Sequence, residues 1–272
     1  ARATLCDSMH NLTVELGCMR GIIPREEAAL GIGEGLTRDI AIISRVNKPV
    51  CFKVIGFRYD VGGNVVAVLS RVAAQKQCME EYISRLRPGD VIPAQITHLE
   101  NFGAFVDIGC GIVSLIPIDC ISVSRIFHPS DRFSVRQKIY AVVKNIDSEG
   151  RICLSHKELL GTWEENAARF DVGETVAGIV RSVEEYGIFV ELTPNLAGLA
   201  ERKPGVVQGQ RASVYIKSII PEKMKVKLVI VEAFDAEDGP PTPLEYYITE
   251  GKLDRWQYSP PQAEKNIYTS FI

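Results

Sequence analysis

The chain has 272 residues, and its 34 acidic side chains slightly outnumber its 31 basic ones, giving a formal net charge of −3. With 46% hydrophobic and 24% charged residues, it is long and apolar enough for two or three domains with cores of their own. No segment approaches the roughly 18 uninterrupted apolar residues of a membrane-spanning helix, and no charged-then-apolar leader is evident. We therefore expect no membrane partner.

The reactive residue types are scattered. Seven cysteines occur without the CxxC spacing that holds zinc or performs redox chemistry, and the four histidines show no metal-ligand spacing. We expect reduced thiols and a cytoplasmic protein. Because no motif brings a nucleophile, a base and an orienting group together, we also expect no metal, no cofactor and no catalysis.

The strongest pattern along the chain is an internal repeat. The segment PGDVIPAQITHLENFGAFVDI (88–108) aligns without a gap on VGETVAGIVRSVEEYGIFVEL (172–192). A shorter echo, HNLTVELG (10–17), matches FGAFVDIG (102–109). These matches predict three copies of one structural unit.

The repeat also sets the predicted domain boundaries. Short strands separated by Gly, Pro, Asn and Asp predict a small antiparallel barrel or sandwich in each copy, and helical periodicity between copies predicts connectors at 70–86 and 158–170. The last segment, 234–272, has seven acidic and three basic residues and contains the motif DGPPTP. This composition predicts an extended tail with one hairpin around TEGKLDRW. The predicted domains are 1–86 (a degenerate copy with a linker helix), 87–160 (the best match), 161–233 (a copy with a helical lead-in) and 234–272 (an acidic tail).

Strand alternation predicts which side chains face outward. Ala104 and Val106 share an apolar face that must be interior, so Phe105 faces out in the second copy. By the same alternation, Phe189 and Glu191 face out in the third copy. Two copies therefore present a phenylalanine at the surface.

A second aromatic residue precedes each of these phenylalanines. Phe102 and Tyr186 have the wrong parity for the outward face if their strands are regular. The intervening Gly103 and Gly187 allow a bulge or a close backbone approach, and a bulge would bring both rings to the same surface.

The closing strands add charge beside these rings. Arg151 and Lys225 have outward parity, and Asp147 lies at the turn before Arg151. Exposed aromatic pairs beside a cation are typical of a surface for single-stranded nucleic acid, where bases stack and the cation holds the phosphate. The carboxylate can accept a hydrogen bond from a base edge or a 2′-hydroxyl.

At these residues the chain resembles the S-one RNA-binding domain family, the repeat of the largest small-subunit ribosomal protein. The matching stretches are GDVIPAQITHLENFGAFVDIG, SLIPIDCIS and RQKIYAVVKNIDSEGRICLSHKE, which cover nearly all of the second copy. The resemblance implies a mainly all-β protein: three OB-fold, five-stranded antiparallel β-barrels in tandem, joined by short α-helices and followed by an extended C-terminal tail.

The resemblance also implies an RNA face. In that family the face consists of the two F-G-x-F aromatics, a histidine one strand later, and an acid and an arginine near the last hairpin. In this sequence the histidine position holds Pro117 in the second copy and Glu201 in the third. The implied RNA-binding residues are Phe102, Phe105, Asp147, Arg151, Tyr186, Phe189 and Lys225.

Together these features predict a non-catalytic single-stranded RNA-binding protein associated with translation. Its expected partners are messenger RNA and the small ribosomal subunit, and we favour a monomer. Two alternatives remain open. The near-neutral charge favours a protein-docking scaffold that uses the same faces, and the missing initiator Met allows the C-terminal RNA-binding part of a larger protein.

Overall fold

The computed structural model describes residues 1–235 and 244–272 and divides the chain into two compact units. The DGPPTP motif of the tail (238–243) lies outside the described residues. In the described ranges, no helix is long and apolar enough to cross a membrane. The first unit comprises Ala1–Leu86 and Asp107–Val113, and the second comprises Arg87–Val106 and Ser114–Ile272.

The first unit contains a five-stranded sheet with the order β1-β2-β3-β5-β4. Alternate residues such as Leu12 and Val14 fill its core, as strand parity predicts. The sheet is open, and β4 lies at one edge. Its elements are β1 (Arg2–Cys6), β2 (Leu12–Glu15), β3 (Arg20–Ile23), α1 (Ile40–Ile43), β4 (Lys53–Tyr59), β5 (Val65–Ser70) and α2 (Arg71–Glu81).

The second unit begins with a closed five-stranded barrel of order β10-β8-β7-β6-β9, which we call the middle barrel. Ala104 and Val106 are fully buried in it, which confirms the predicted interior face. Its strands are β6 (Val91–Glu100), β7 (Gly103–Asp107), β8 (Val113–Pro117), β9 (Lys138–Ile146) and β10 (Ile152–Ser155).

A second closed barrel follows, with the order β11-β12-β13-β15-β14, and we call it the third barrel. The connector predicted over 158–170 is split, because Gly161 at φ +83° separates a short 3-10 helix from α3. Thr162 and Glu165 begin α3 with a capping box. The elements are α3 (Trp163–Ala167), β11 (Thr175–Glu184), β12 (Gly187–Thr193), β13 (Leu196–Ala200), β14 (Arg211–Ile220) and β15 (Lys225–Phe234).

A buried asparagine joins the two barrels of the second unit. The Asn195 side-chain amide donates to the carbonyl oxygens of Lys157 at 2.7 Å and Gly161 at 2.8 Å. Its Oδ1 accepts a hydrogen bond from the Val123 amide at 3.0 Å. Because buried polar groups are costly when unpaired, these bonds favour one arrangement of the two barrels.

The prediction that Glu191 faces solvent is wrong. Its side chain is only 4% exposed and forms ion pairs with Arg132 of the middle barrel and Arg181 of the third. The Arg181 Nε lies 2.8 Å from the carboxylate. Strand parity correctly places Glu191 outside the barrel interior, but the neighbouring barrel covers that side. Burial lowers the pKa of Arg132, and the charge of Glu191 opposes this shift.

The expectation of an extended tail is also wrong for the described residues. Strands β16 (Arg255–Gln257) and β17 (Tyr268–Ser270) form a hairpin, and Trp256, Tyr258 and Phe271 are buried in the hydrophobic core of the second unit. The Tyr258 hydroxyl donates to the Asn195 carbonyl at 2.6 Å. The apolar area of three aromatic side chains provides a strong driving force for this packing.

His156 connects this tail to the middle barrel. Its Nδ1 lies 2.8 Å from the Ile121 carbonyl oxygen, and its Nε2 lies 3.0 Å from the Tyr246 hydroxyl. A carbonyl only accepts, so Nδ1 carries the proton and Nε2 accepts from Tyr246. Burial lowers the pKa of His156 to about 4, and the charge of Arg132 acts in the same direction.

We predict that this histidine destabilises the second unit in acid. Between pH 6.5 and about 4, the unfolded chain binds a proton at His156 that the folded chain does not bind, so the free energy of unfolding falls as pH falls. The shift corresponds to about 3 kcal/mol. Urea unfolding measures the free energy of unfolding at pH 7 and at pH 4.5. Between these two pH values it should fall less in His156→Gln than in His98→Gln, the control at an exposed histidine. An equal fall in both variants would show that His156 does not cause the acid destabilisation.

We predict a second stability effect at the buried ion pairs. Glu191→Gln keeps the side-chain shape but leaves Arg132 buried without its anion, so the free energy of unfolding should fall by about 3 kcal/mol. The exposed neighbour offers a matched control, because Glu185→Gln should change stability by less than about 0.5 kcal/mol. Chemical denaturation measures both, and an unchanged Glu191→Gln variant would show that the pairing contributes little.

Candidate nucleic-acid interface

Two aromatic rings of the middle barrel lie side by side at its surface. Phe102 occupies the two-residue turn between β6 and β7 and is 57% exposed, whereas Phe105 lies on β7 and is half-buried. Their ring centroids are 5.9 Å apart and their planes meet at 89°. The structure therefore brings together the two rings that the sequence predicts as partners.

The third barrel repeats this arrangement. Tyr186 occupies the turn between β11 and β12 and is 71% exposed, and Phe189 on β12 is half-buried. The centroid distance is 6.0 Å and the interplanar angle is 84°. Two barrels that differ in most residues thus hold an aromatic pair in nearly the same geometry.

Each aromatic pair forms because the glycine between its two rings lies close to the backbone of the neighbouring strand, and not because the strand bulges at the glycine. In the third barrel Gly187 is directly opposite Glu184, and a Cβ on Gly187 would lie 2.6 Å from the Ala200 carbonyl oxygen. A Cβ on Gly103 would likewise lie 2.4 Å from a carbonyl oxygen. Since Tyr186 belongs to the turn, strand parity does not apply to its ring.

Asp147 and Arg151 lie together at the β9–β10 hairpin of the middle barrel. The Asp147 carboxylate accepts from the backbone amides of Glu149 and Arg151, each at 2.9 Å, and pairs with the Arg151 Nε at 2.7 Å. These hydrogen bonds, led by that from the Arg151 side chain, lower the pKa of Asp147. Asp147 therefore stabilises the turn and orients the Arg151 side chain, which is largely exposed.

Strand register in the third barrel places a cation in line with the aromatic ring. Phe189 is opposite Leu199 on β13, and Leu199 is opposite Lys227 on β15. Adjacent strands lie about 4.8 Å apart, so the lysine is two strands, or about 10 Å, from Phe189. Lys225 is exposed two residues earlier on β15. Lys227 was not among the predicted site residues, although its outward parity was readable.

His98 is another residue that sequence reasoning did not include in the site. Its ring stacks on Phe105, with centroids 6.4 Å apart and an interplanar angle of 23°, and its Nε2 lies 2.6 Å from the Glu100 carboxylate. The residues His98 and Glu100 share one face of β6, but only the pairing of β6 with β7 brings the imidazole to the ring. The matching position of the third barrel is Ser182.

At the two positions where the S-one family has a histidine, this chain has residues that cannot replace the imidazole. Pro117, half-buried at the end of β8, has no hydrogen-bond donor, and Glu201, exposed after β13, adds a negative charge. The Lys144 ammonium is directed to the Cys120 sulfur, at 3.1 Å. Within the part of the chain that the structure describes, no group of three or more His, Cys, Asp or Glu side chains is arranged to hold a metal ion.

Comparison with known proteins matches residues 85–157 to the S1 RNA binding domain family model. The chain is 30% identical over 234 residues to the small ribosomal subunit protein bS1 of Leuconostoc lactis, covering 80% of this chain and 52% of that protein. It is also 30% identical to the bS1 homolog of Bacillus cereus, covering 82% of this chain and 60% of the homolog. The chain thus spans about half the length of the relatives that it matches.

A solved multidomain protein with nucleic acid binding domains from Streptococcus pneumoniae is also similar, over 85% of this chain and 72% of that one. The identity is 14% and the TM-score is 0.27, which is too low to indicate a shared overall arrangement. The family match instead covers the middle barrel, where the aromatic pair and the Asp147–Arg151 pair lie. The predicted resemblance is thereby confirmed for the middle barrel, because residues 85–157 match the S1 RNA binding domain family model.

Proposed function

We propose that the second unit binds single-stranded RNA, without catalysing a reaction, by stacking bases on the aromatic pairs of its two barrels. The observation that carries this proposal is the repetition of one ring geometry, at 5.9 Å and 89° in one barrel and 6.0 Å and 84° in the other. An aromatic ring that only fills a hydrophobic core would be buried. The turn rings Phe102 and Tyr186 are more than half exposed, so a base can lie on each of them.

Base stacking on two aromatic pairs, one on each barrel, can supply a useful affinity for a single RNA strand. A base stacked on an aromatic side chain contributes about 1–3 kcal/mol, largely independent of base identity. Since hydrogen bonds of Asn195 join the two barrels, one RNA strand that contacts both would gain affinity without ordering the barrels first. We infer weak sequence preference and an affinity that depends on both barrels.

In this proposal the phosphate contacts come from cations of the last strand in the third barrel and of the last hairpin in the middle barrel. In the third barrel these are Lys225 and Lys227, and in the middle barrel Arg151, which Asp147 orients. The imidazole ring of His98, which stacks on Phe105, adds a third ring to the aromatic pair of the middle barrel. The proposed RNA-binding residues are Phe102, Phe105, Asp147, Arg151, Tyr186, Phe189 and Lys225, together with His98 and Lys227.

The names of the similar proteins support a place in translation. The matched family is an RNA binding domain, and the relatives are proteins of the small ribosomal subunit. We propose messenger RNA and the small ribosomal subunit as partners, a cytoplasmic location, and a third OB-type module in the first unit. We further propose that the protein acts as a monomer.

A protein-docking role for the same faces is the competing function. One observation favours it: Arg151 lies 2.7 Å from Asp147 and 3.0 Å from Glu149, so two carboxylates offset its charge. A net charge of −3 also weakens non-specific attraction to phosphates. Salt dependence separates the two functions, because phosphate contacts release counterions from the RNA and an apolar protein contact does not.

We predict that the double variant Phe102→Ala/Tyr186→Ala loses at least about tenfold in affinity for a single-stranded RNA of about 20 nucleotides, because each barrel loses a stacking ring. Fluorescence anisotropy measures the dissociation constant. Both rings are largely exposed, so the melting temperature should hardly change.

The matched control for this variant is Phe234→Ala. Phe234 is about half exposed at the far end of β15, seven residues and therefore about 23 Å from Lys227. It should bind RNA like the parent protein. Equal loss in the control and the double variant would refute stacking at the predicted rings, and RNA binding by neither parent nor variants would favour protein docking.

We also predict that Lys225→Gln/Lys227→Gln makes RNA binding less sensitive to salt. Each phosphate contact on a single strand contributes about 0.7 to the slope of log affinity against log salt concentration, so loss of two contacts should decrease the slope by about 1.4 in magnitude. Lys265→Gln tests one exposed lysine of the tail as a charge control. An unchanged slope in the double variant would remove these lysines from the interface.

A further inference from the structure

Three cysteines of the first unit lie close together. The sulfur atoms of Cys51 and Cys110 are 3.3 Å apart, although 59 positions separate the two residues in the chain. Cys78 of α2 borders the same loop, because a Cβ built on Gly109 would lie 2.9 Å from its sulfur. All three are free thiols in the structure. We call these three residues the thiol cluster, and only the fold brings them together.

The loop that carries Cys110 is ordered by hydrogen bonds within the first unit. The Asp107 carboxylate accepts from the Gly109 amide at 2.8 Å and from the Gly111 amide at 3.0 Å. The Cys110 carbonyl accepts from the side-chain amide of Gln75, a buried residue of α2, at 3.3 Å. These bonds fix the backbone on both sides of the Cys110 thiol and therefore hold it next to the Cys51 thiol.

The backbone conformation of this loop is unusual. Gly109, Cys110 and Gly111 have φ angles of +146°, +52° and +81° in succession. A positive φ is uncommon for a residue with a side chain, and such strain persists only where the surroundings impose it. The two glycines leave no room for a larger residue, so the Cys110 side chain is the only one that the loop presents between them.

A buried cation lies beside the thiol cluster. Arg71, the first residue of α2, is only 2% exposed, and its Nη2 lies 2.9 Å from the position of a Cβ on Gly111. Burial raises the pKa of all three thiols, and the charge of Arg71 opposes this shift at Cys51. Because the thiolate is the form that reacts with oxidants, the guanidinium favours reaction at this place.

The distance between the Cys51 and Cys110 sulfurs suits a covalent bond. The two sulfurs of a disulfide are about 2.05 Å apart, so the observed pair needs to approach by only about 1.3 Å. Small rotations of two side chains cover such a distance. The backbone of the first unit can therefore stay in place when the two residues are joined.

We propose that Cys51 and Cys110 are a modification site at which a peroxide forms a reversible disulfide, linking the segment before β4 to the loop of residues 107–113. One sulfur, as thiolate, attacks a peroxide oxygen; the O–O bond breaks, and a sulfenic acid and water result. The other thiolate attacks the sulfenic sulfur, and the hydroxide that leaves takes up a proton. Overall, two thiols and hydrogen peroxide become one disulfide and two waters, with two electrons passing from sulfur to the peroxide.

The test is oxidation of the folded full chain by one equivalent of hydrogen peroxide, followed by digestion without reductant and tandem mass spectrometry. We expect one dominant crosslink, between Cys51 and Cys110, and a fall in free thiols from seven to five per chain. Dithiothreitol should restore all seven. The variant Cys110→Ser should lose the crosslink, whereas the control Cys18→Ser, at an exposed cysteine of the same unit, should keep it.

Three results would overturn the proposal. Consumption of thiols without a Cys51–Cys110 crosslink would show that these sulfurs do not pair, and a dominant Cys78–Cys110 crosslink would assign the site to a different pair. The same mixture of crosslinks in the folded chain and in the urea-unfolded chain would show that the fold does not select this pair. RNA binding by the second unit is a separate readout, so failure here leaves the proposed function untouched.

Discussion

Each closed barrel depends on one long first strand that pairs with two neighbours in succession. In the third barrel, residues 175–179 of β11 pair with β14, and residues 179–184 pair with β12. This double pairing closes the sheet, so that alternate apolar side chains are enclosed and the remaining ones point outward. In the first unit, β1 pairs with β2 along its length and forms one isolated bridge on its other side, between Arg2 and Pro49.

Closure also determines where the aromatic rings lie. The first strand ends at a two-residue turn, and the glycine after that turn packs against a neighbouring carbonyl where no side chain fits. The turn ring and the next outward ring then meet edge to face in both barrels. The same backbone constraint that holds the barrel together thus exposes an aromatic pair on each closed barrel, and in our proposal unpaired bases stack on these rings.

Local patterns made the barrel interior and the ring pairs predictable, because strand alternation and the aromatic-glycine spacing are properties of short segments. Ala104 and Val106 are buried as alternation requires. Burial of Glu191 could not be predicted in this way, since its partner Arg132 lies 59 residues away on another barrel. The stacking of His98 on its neighbour and the packing of Trp256 into the core likewise depend on contacts distant in sequence.

The most direct measurement is an NMR titration of the protein with single-stranded RNA, following the ring protons of Phe102, Phe105, Tyr186 and Phe189. Bases that stack on these rings will shift their resonances upfield and give intermolecular contacts from base to ring protons in both barrels. RNA that binds while these four rings keep their free-state shifts, or that perturbs only residues remote from them, would contradict base stacking as the mode of recognition.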